Sequence, residues 1–277
     1  MRFPRYWAVA RSGAGVAWGW SDESLAVAQA EASRRAAELA SRLRLQRPPR
    51  HDGYYPDRPM REEVLREVAC DGAALTVAVT RNAAGAEVLN AARALFVDVD
   101  LPAQASPGFF ARLFGAKAPA VGSAPAEVGA VARAVAWAAA HPSWGWRIYR
   151  TAAGLRLLAT HATFLPDDEL AQAAFRELGA DPLYVRLCRS QECFRARLTP
   201  KPWRVGIHTA PPRWPWADAS DAAGFAAWDR AYRAASARYA TCALVRVVGN
   251  ETVHPDLRAI VALHDEACKV GSGWPLA

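Results

Sequence analysis

A chain of 277 residues, 52% hydrophobic and 22% charged, has an ordinary globular balance and room for one large or two small domains. It holds no run of about 18 apolar residues, which argues against a membrane-spanning helix, and its first residues lack the apolar stretch of a signal peptide, so a cytoplasmic protein is expected. Five scattered cysteines without a framework spacing fit reduced thiols, and a formal charge of +7 favours phosphate-bearing partners.

Residues Tyr6 to Arg11 and Val16 to Trp20, joined by Ser12-Gly13-Ala14-Gly15, read as a β-hairpin. An Ala-rich helix is predicted from Leu25 to Leu43, closed by basic residues and the prolines at 48 and 49. After an aromatic, proline-rich loop over 51–59, a short helix is predicted around Arg61 to Val68. A second hairpin pairs Ala74 to Thr80 with Ala86 to Leu89. Pro102 to Pro125 reads as a long loop, longer than ordinary connections. A helix over Ala126 to Ala140 precedes a third hairpin, Trp146 to Arg150 with Leu155 to Thr160. Further helices are expected from Pro166 to about Leu178, from Ala222 to Ala240 and from Pro255 to Cys268. Strands are expected at Leu183 to Leu187 and Cys242 to Val248. Hairpins among helices favour an α+β fold with an antiparallel-rich central sheet over a doubly wound one. No linker forces a cut, so 1–277 reads as a single domain, with an N-terminal subregion 1–90 and a catalytic-like subregion 91–277.

The stretch from Ala94 to Pro102 organises the rest. Its apolar run reads as a buried strand that ends in Asp98 and Asp100, and the two-residue period puts both acids on one face. Paired carboxylates at the end of a core strand repel each other and resist desolvation, and a hard divalent cation is the usual compensation. The plainer reading is two solvated acids at a strand end.

Between Leu183 and Arg204 lie Arg186, Arg189, Arg195, Arg197, Lys201 and Arg204, with Glu192 as the lone acid. Arg forks match phosphate oxygens, Lys adds a point charge, and Trp203 could stack a base. A solvated basic face is the plainer reading, although the apolar residues interleaved with these cations argue for partial burial. In the hairpin over 150–156, Gly154 offers a tight turn by positive φ, and Thr151 and Arg156 flank it. His161 beyond it reads equally as an ordinary strand-end histidine.

Three weaker signals complete the set. Cys188 and Cys193 with His208 could supply zinc ligands, but the spacing is loose and buried small residues are the better reading. His264-Asp265 suggests the dyad of metal phosphohydrolases, yet without partner histidines a surface pair is expected. Trp214 and Trp216 sit in a proline-stiffened loop that either binds a partner or covers the core.

Taken in order, these motifs resemble the catalytic core of the archaeo-eukaryotic primase superfamily, which includes primase-polymerases. In that family an hhhDhD strand binds divalent metal, an S/T-x-x-G-x-H turn contacts the incoming nucleotide, and a further acid precedes a basic segment near the triphosphate. Phe96-Val97-Asp98-Val99-Asp100 matches the first motif. Thr151-Ala152-Ala153-Gly154-Leu155-Arg156 matches the second, with Arg156 where the family has His. The run over 193–201 is similar to the basic segment, and Glu192 is the nearest candidate for the further acid. The resemblance implies a nucleotidyltransferase in which Asp98 and Asp100 hold Mg²⁺ or Mn²⁺. Thr151, Arg156, Arg195, Arg197 and Lys201 would then bind a nucleoside triphosphate, with DNA or RNA as partner. The alternatives are a non-catalytic nucleotide- or nucleic-acid-binding protein and a DxD glycosyltransferase. The latter lacks a convincing parallel αβ start ahead of Asp98.

Overall fold

The N-terminal hairpin forms as expected, β1 (Tyr6–Ser12) against β2 (Gly15–Ser21), in a computed structural model that describes residues 1, 3–45, 59–68, 77–101, 125–216 and 218–277. Helix α1 (Leu25–Arg44) starts where Ser24 Oγ accepts the Val27 amide at 3.2 Å. Its buried residues, Ala28, Ala32, Ala36 and Ala40, form a stripe of methyl groups facing the hairpin. The hairpin answers with glycine. A Cβ on Gly19 would stand 2.2 Å from the Ala32 nitrogen, so helix and strand approach more closely than larger residues permit.

The expected helix over 61–68 is instead strand β3 (Glu63–Val68). Glu, Leu and Arg there favour a helix by propensity, but pairing with β4 (Val77–Arg81) overrides that local preference. β4 pairs with β5 (Glu87–Ala91), giving an antiparallel sheet of order β3-β4-β5-β9. Its last member, β9 (Phe194–Arg197), was not anticipated from sequence.

β6 (Phe96–Asp100) lies at the edge of a second antiparallel sheet of order β10-β7-β8-β6. β7 (Gly145–Thr151) and β8 (Gly154–Ala159) are the predicted third hairpin, and β10 (Cys242–Gly249) pairs with β7. The strands therefore divide between two four-stranded sheets and a hairpin, where one central sheet was expected. The class is α+β, with antiparallel ladders between all named strands and six helices among the described residues.

Helix α2 (Pro125–Ala140) and helix α3 (Glu169–Leu178) fall close to their predicted bounds. Leu183 to Leu187, predicted a strand, belongs to helix α4 (Pro182–Gln191). Asp181 caps it by accepting the amides of Leu183 and Tyr184, and Pro182 occupies the first turn, where its missing N–H costs nothing. The buried residues Tyr184, Leu187, Cys188 and Gln191 then follow helical spacing. Helices α5 (Ala219–Ser236) and α6 (Pro255–Ala267) complete the chain. No described helix is long and apolar enough to cross a membrane.

The two large sheets share one apolar core and meet where β6 approaches β9. Tyr184 fastens that seam: its hydroxyl donates to the Phe96 carbonyl at 3.1 Å and accepts the Arg195 amide at 3.4 Å. The Asp181 amide also donates to the Asp98 carbonyl, at 2.9 Å.

Candidate functional site

At this seam lies a cleft of about 290 Å³ whose walls include Asp98, Asp100, Thr151, Arg156, Arg195, Arg197 and Lys201. Every residue to which the resemblance gave a metal- or triphosphate-binding role thus lines a single cleft. Their depths differ sharply, however, and with them the work each side chain can do.

Asp98 and Asp100 share one face of β6, as the two-residue period requires; Asp98 is a third exposed and Asp100 more open. Asp98 stands opposite Arg156 on β8, and Arg156 Nε donates to its Oδ1 at 3.0 Å. Arg156 is 1% exposed, and its Nη1 also donates to the Arg197 carbonyl at 2.8 Å. Burial opposes its charge, but Asp98 and two nearby thiols hold its pKa above the ordinary value. Arg156, expected to address phosphate directly, is instead a buried partner of the first carboxylate.

Gly154, which faces Asp100 across the same ladder, does not take the positive φ expected of it. Close approach is what demands glycine there: a Cβ would lie 2.0 Å from the Val99 carbonyl oxygen. Thr151 sits at the rim, where its hydroxyl accepts the Ala153 amide at 3.4 Å.

β9 presents Arg195 and Arg197 at alternate positions beside β5. Arg195 is held by Glu62 through bonds of 2.7 and 2.9 Å from its Nη2, while Thr80 donates to the same carboxylate at 2.5 Å. Its place is structural, with its charge matched inside the protein. Among the described residues Arg197 has no such carboxylate bond, and its buried Nε has no hydrogen-bond partner. Burial and the neighbouring Arg156 charge pull its pKa down to about 10. Lys201 is likewise lowered, by burial and then by Arg197 and Arg204. These two cations are the ones an anion in the cleft would relieve.

The remainder of the basic segment separates from the cleft. Arg186 and Arg189 project from α4 onto a different, shallow surface depression. Trp203 is 51% exposed, beside Lys201 Nζ at 5.3 Å from its ring centre. Trp216 packs on Phe225 in a small aromatic cluster.

Sequence reasoning missed two acids of the cleft wall, Glu62, which is committed to Arg195, and Asp181. Asp181 lines the cleft, whereas Glu192 caps the far end of α4 and pairs with the N-terminal amine at 3.5 Å. Burial, Asp181 and Asp98 together raise the pKa of Asp100, against the pull of Lys201 and Arg197. The Asp181-Pro182 pair, a helix-start signal, was the clue in the sequence. His161 does not line the cleft; it packs on Trp144 and accepts the Gly145 amide at 3.2 Å.

Cys188 and Cys193 are buried while His208 is exposed, so the suggested zinc ligands do not assemble. A different group does: Cys242, His264 and Cys268 bring their ligand atoms within 4.8 Å of one another. His264, expected at the surface with Asp265, is fully buried. Cys70 and nearly all of the predicted loops over 51–59 and 102–125 lie outside the described residues.

Chemically, the cleft combines hard oxygen donors with two cations, Arg197 and Lys201, that have no carboxylate ion pair among the described residues. Hard divalent ions take oxygen donors of this kind, and Arg and Lys match phosphate oxygens. Among the described residues, however, the group that brings three ligand atoms within 4.8 Å of one another is Cys242, His264 and Cys268, not the cleft carboxylates. No family model, curated protein or solved structure matches the chain.

Proposed function

We propose that the cleft binds a nucleoside triphosphate with Mg²⁺ or Mn²⁺ and transfers its nucleotidyl group to a terminal hydroxyl of DNA or RNA, with pyrophosphate as the leaving group. The observation that carries this reading is the convergence of Asp98, Asp100 and Asp181 with Arg197 and Lys201 on one seam. Asp98 and Asp100 would hold the cation, with Asp181 as the third carboxylate. When bound, that cation offsets the carboxylate repulsion and polarises phosphate oxygens. Arg197 and Lys201 take the phosphate charge, a preorganised electrostatic role. Thr151 offers a hydroxyl at the rim, and exposed Trp203 offers a face on which a base can stack. Arg156 orients Asp98 through its Nε, and Arg195 ties β9 to Glu62.

The test is incorporation of labelled nucleotide into a primer–template with Mn²⁺, comparing wild type with Asp100→Asn. Metal-dependent incorporation lost in the variant supports transfer. Incorporation that survives the variant overturns the assignment.

A second reading, a nucleotide-binding protein without chemistry, is favoured by the ion pair between Arg156 and Asp98. An internal guanidinium at the first carboxylate weakens its hold on a metal. Tight triphosphate binding without incorporation on any primer is the result this reading expects. The glycosyltransferase reading gains no support from ladders that are antiparallel between all named strands among the described residues.

A further inference from the structure

Beyond Arg156, on the side away from Asp98, the cleft is backed by a buried group that the proposed transfer does not use. Arg156 Nη1 lies 3.4 Å from His264 Nε2, and around that nitrogen stand the sulfurs of Cys242 and Cys268. We infer that Cys242, His264 and Cys268 form a binding site for a thiophilic metal ion, with zinc as the natural occupant.

The fold places these groups by backbone, not by chance proximity of flexible side chains. His264 and Cys268 stand four residues apart at the end of α6, on one helical face, joined by the Cys268 amide donating to the His264 carbonyl at 2.9 Å. Cys242 opens β10, and the preceding Thr241 amide donates to the Cys268 carbonyl at 3.0 Å. All three residues are 0% exposed, so no solvated surface explains the grouping.

The imidazole is oriented as a ligand would be. Its Nδ1 is 3.0 Å from Asp265 Oδ1, and Asp265 is itself gripped by Arg147 at 2.6 Å and Tyr149 at 2.7 Å. A carboxylate on one ring nitrogen fixes the tautomer and leaves Nε2 with a lone pair. That nitrogen faces Cys242 Sγ at 3.9 Å. Its alternative partner, Arg156 Nη1, already has the Arg197 carbonyl at the shorter distance of 2.8 Å.

Charge balance favours the same ion. Two thiolates and a dication sum to zero charge, so loading adds no net charge beside Arg156. Thiolate and imidazole select a soft or borderline ion over Mg²⁺ or Mn²⁺, which keeps this site chemically separate from the carboxylates of the cleft.

The test uses the full chain, reduced and freed of metal, titrated with Co²⁺ and then Zn²⁺. A near-ultraviolet thiolate-to-cobalt charge-transfer band at one equivalent, displaced by Zn²⁺, is expected. It should vanish in Cys242→Ser and Cys268→Ser and persist in Cys188→Ser and Asp100→Asn. Asp265→Asn should weaken Co²⁺ binding by about 10–100-fold. No band in wild type, or a band surviving the Cys242→Ser/Cys268→Ser double variant, overturns the site. Should those variants fail to fold, zinc-edge X-ray absorption on the wild type decides. Two sulfurs and a nitrogen around zinc support the site, and a shell without sulfur overturns it.

Discussion

Arg156 and Asp98 oppose each other directly across the β8–β6 ladder, and the guanidinium Nε donates to the carboxylate at 3.0 Å. The pair sits where the cleft meets the core, with Asp98 partly open and Arg156 closed off from solvent. A buried guanidinium that loses its carboxylate retains only a carbonyl and an imidazole contact. Asp98→Asn should therefore destabilise the fold by about 3 kcal/mol. Adding Arg156→Met should recover much of that loss, because the stranded charge is removed. Denaturant melts of both single variants and the double variant measure this coupling; additive losses would show that the pair is not coupled.

Arg195 and Arg197, neighbours in the basic segment, should behave in opposite ways. Arg195→Met strands Glu62, which is 2% exposed, and should cost about 3–5 kcal/mol. Arg197→Met removes a buried charge whose Nε has no partner, so stability should hold or rise while triphosphate affinity falls. Melts and nucleotide titrations of the two proteins separate the roles. Equal effects on both would mean that β9 acts only as surface charge.

Gly154 carries the seam by its missing side chain. Gly154→Ala puts a methyl group against the Val99 carbonyl and should push β8 from β6, costing at least about 2 kcal/mol. Gly13 is the contrast: a Cβ there would meet nothing within 4 Å, although its positive φ still favours glycine. Thermal melts should rank Gly154→Ala well below Gly13→Ala.

His161 supplies a pH dependence. Burial lowers its pKa below the ordinary 6.5. The unfolded chain then takes up a proton that the folded chain resists. The His161 contribution is present above about pH 6.5 and is lost as pH falls through the depressed folded value. In melts at successive pH values, His161→Gln should flatten the decline of stability below about pH 6.5. An unchanged slope would show that this imidazole is solvated.

Patterns confined to one element were legible in the sequence. Alternation placed Asp98 and Asp100 on one face, and Thr151, Arg156, Arg195, Arg197 and Lys201 do reach the same cleft. Pairing between distant segments was not legible. The helix formers at 63–68 gave no sign that β4 would claim them, and nothing local marked 194–197 as a strand beside β5. The strand reading of Leu183 to Leu187, rich in apolar residues, passed over the Asp181-Pro182 start signal, which hid both α4 and the cleft carboxylate of Asp181. Burial was hidden too: Arg156 and Arg195 read as ligand-facing cations because charge alone does not reveal an internal partner. Cys242 and His264 lie far apart in sequence, and only the packing of α6 against β10 brings them together.

Under the proposed function, the carboxylates of the seam hold a cation for a phosphate-bearing nucleotide. The most direct measurement titrates the purified chain with a nucleoside triphosphate, with and without Mn²⁺, beside Asp100→Asn. Asp100 makes no ion pair among the described residues, and partial burial beside Asp181 and Asp98 disfavours its charge, so the variant should remain folded and melt no lower than wild type. Binding that requires Mn²⁺ in wild type and loses that requirement, with at least about tenfold weaker affinity, in Asp100→Asn is the expected result. Equal binding in the two proteins, or binding indifferent to Mn²⁺, would contradict the claim.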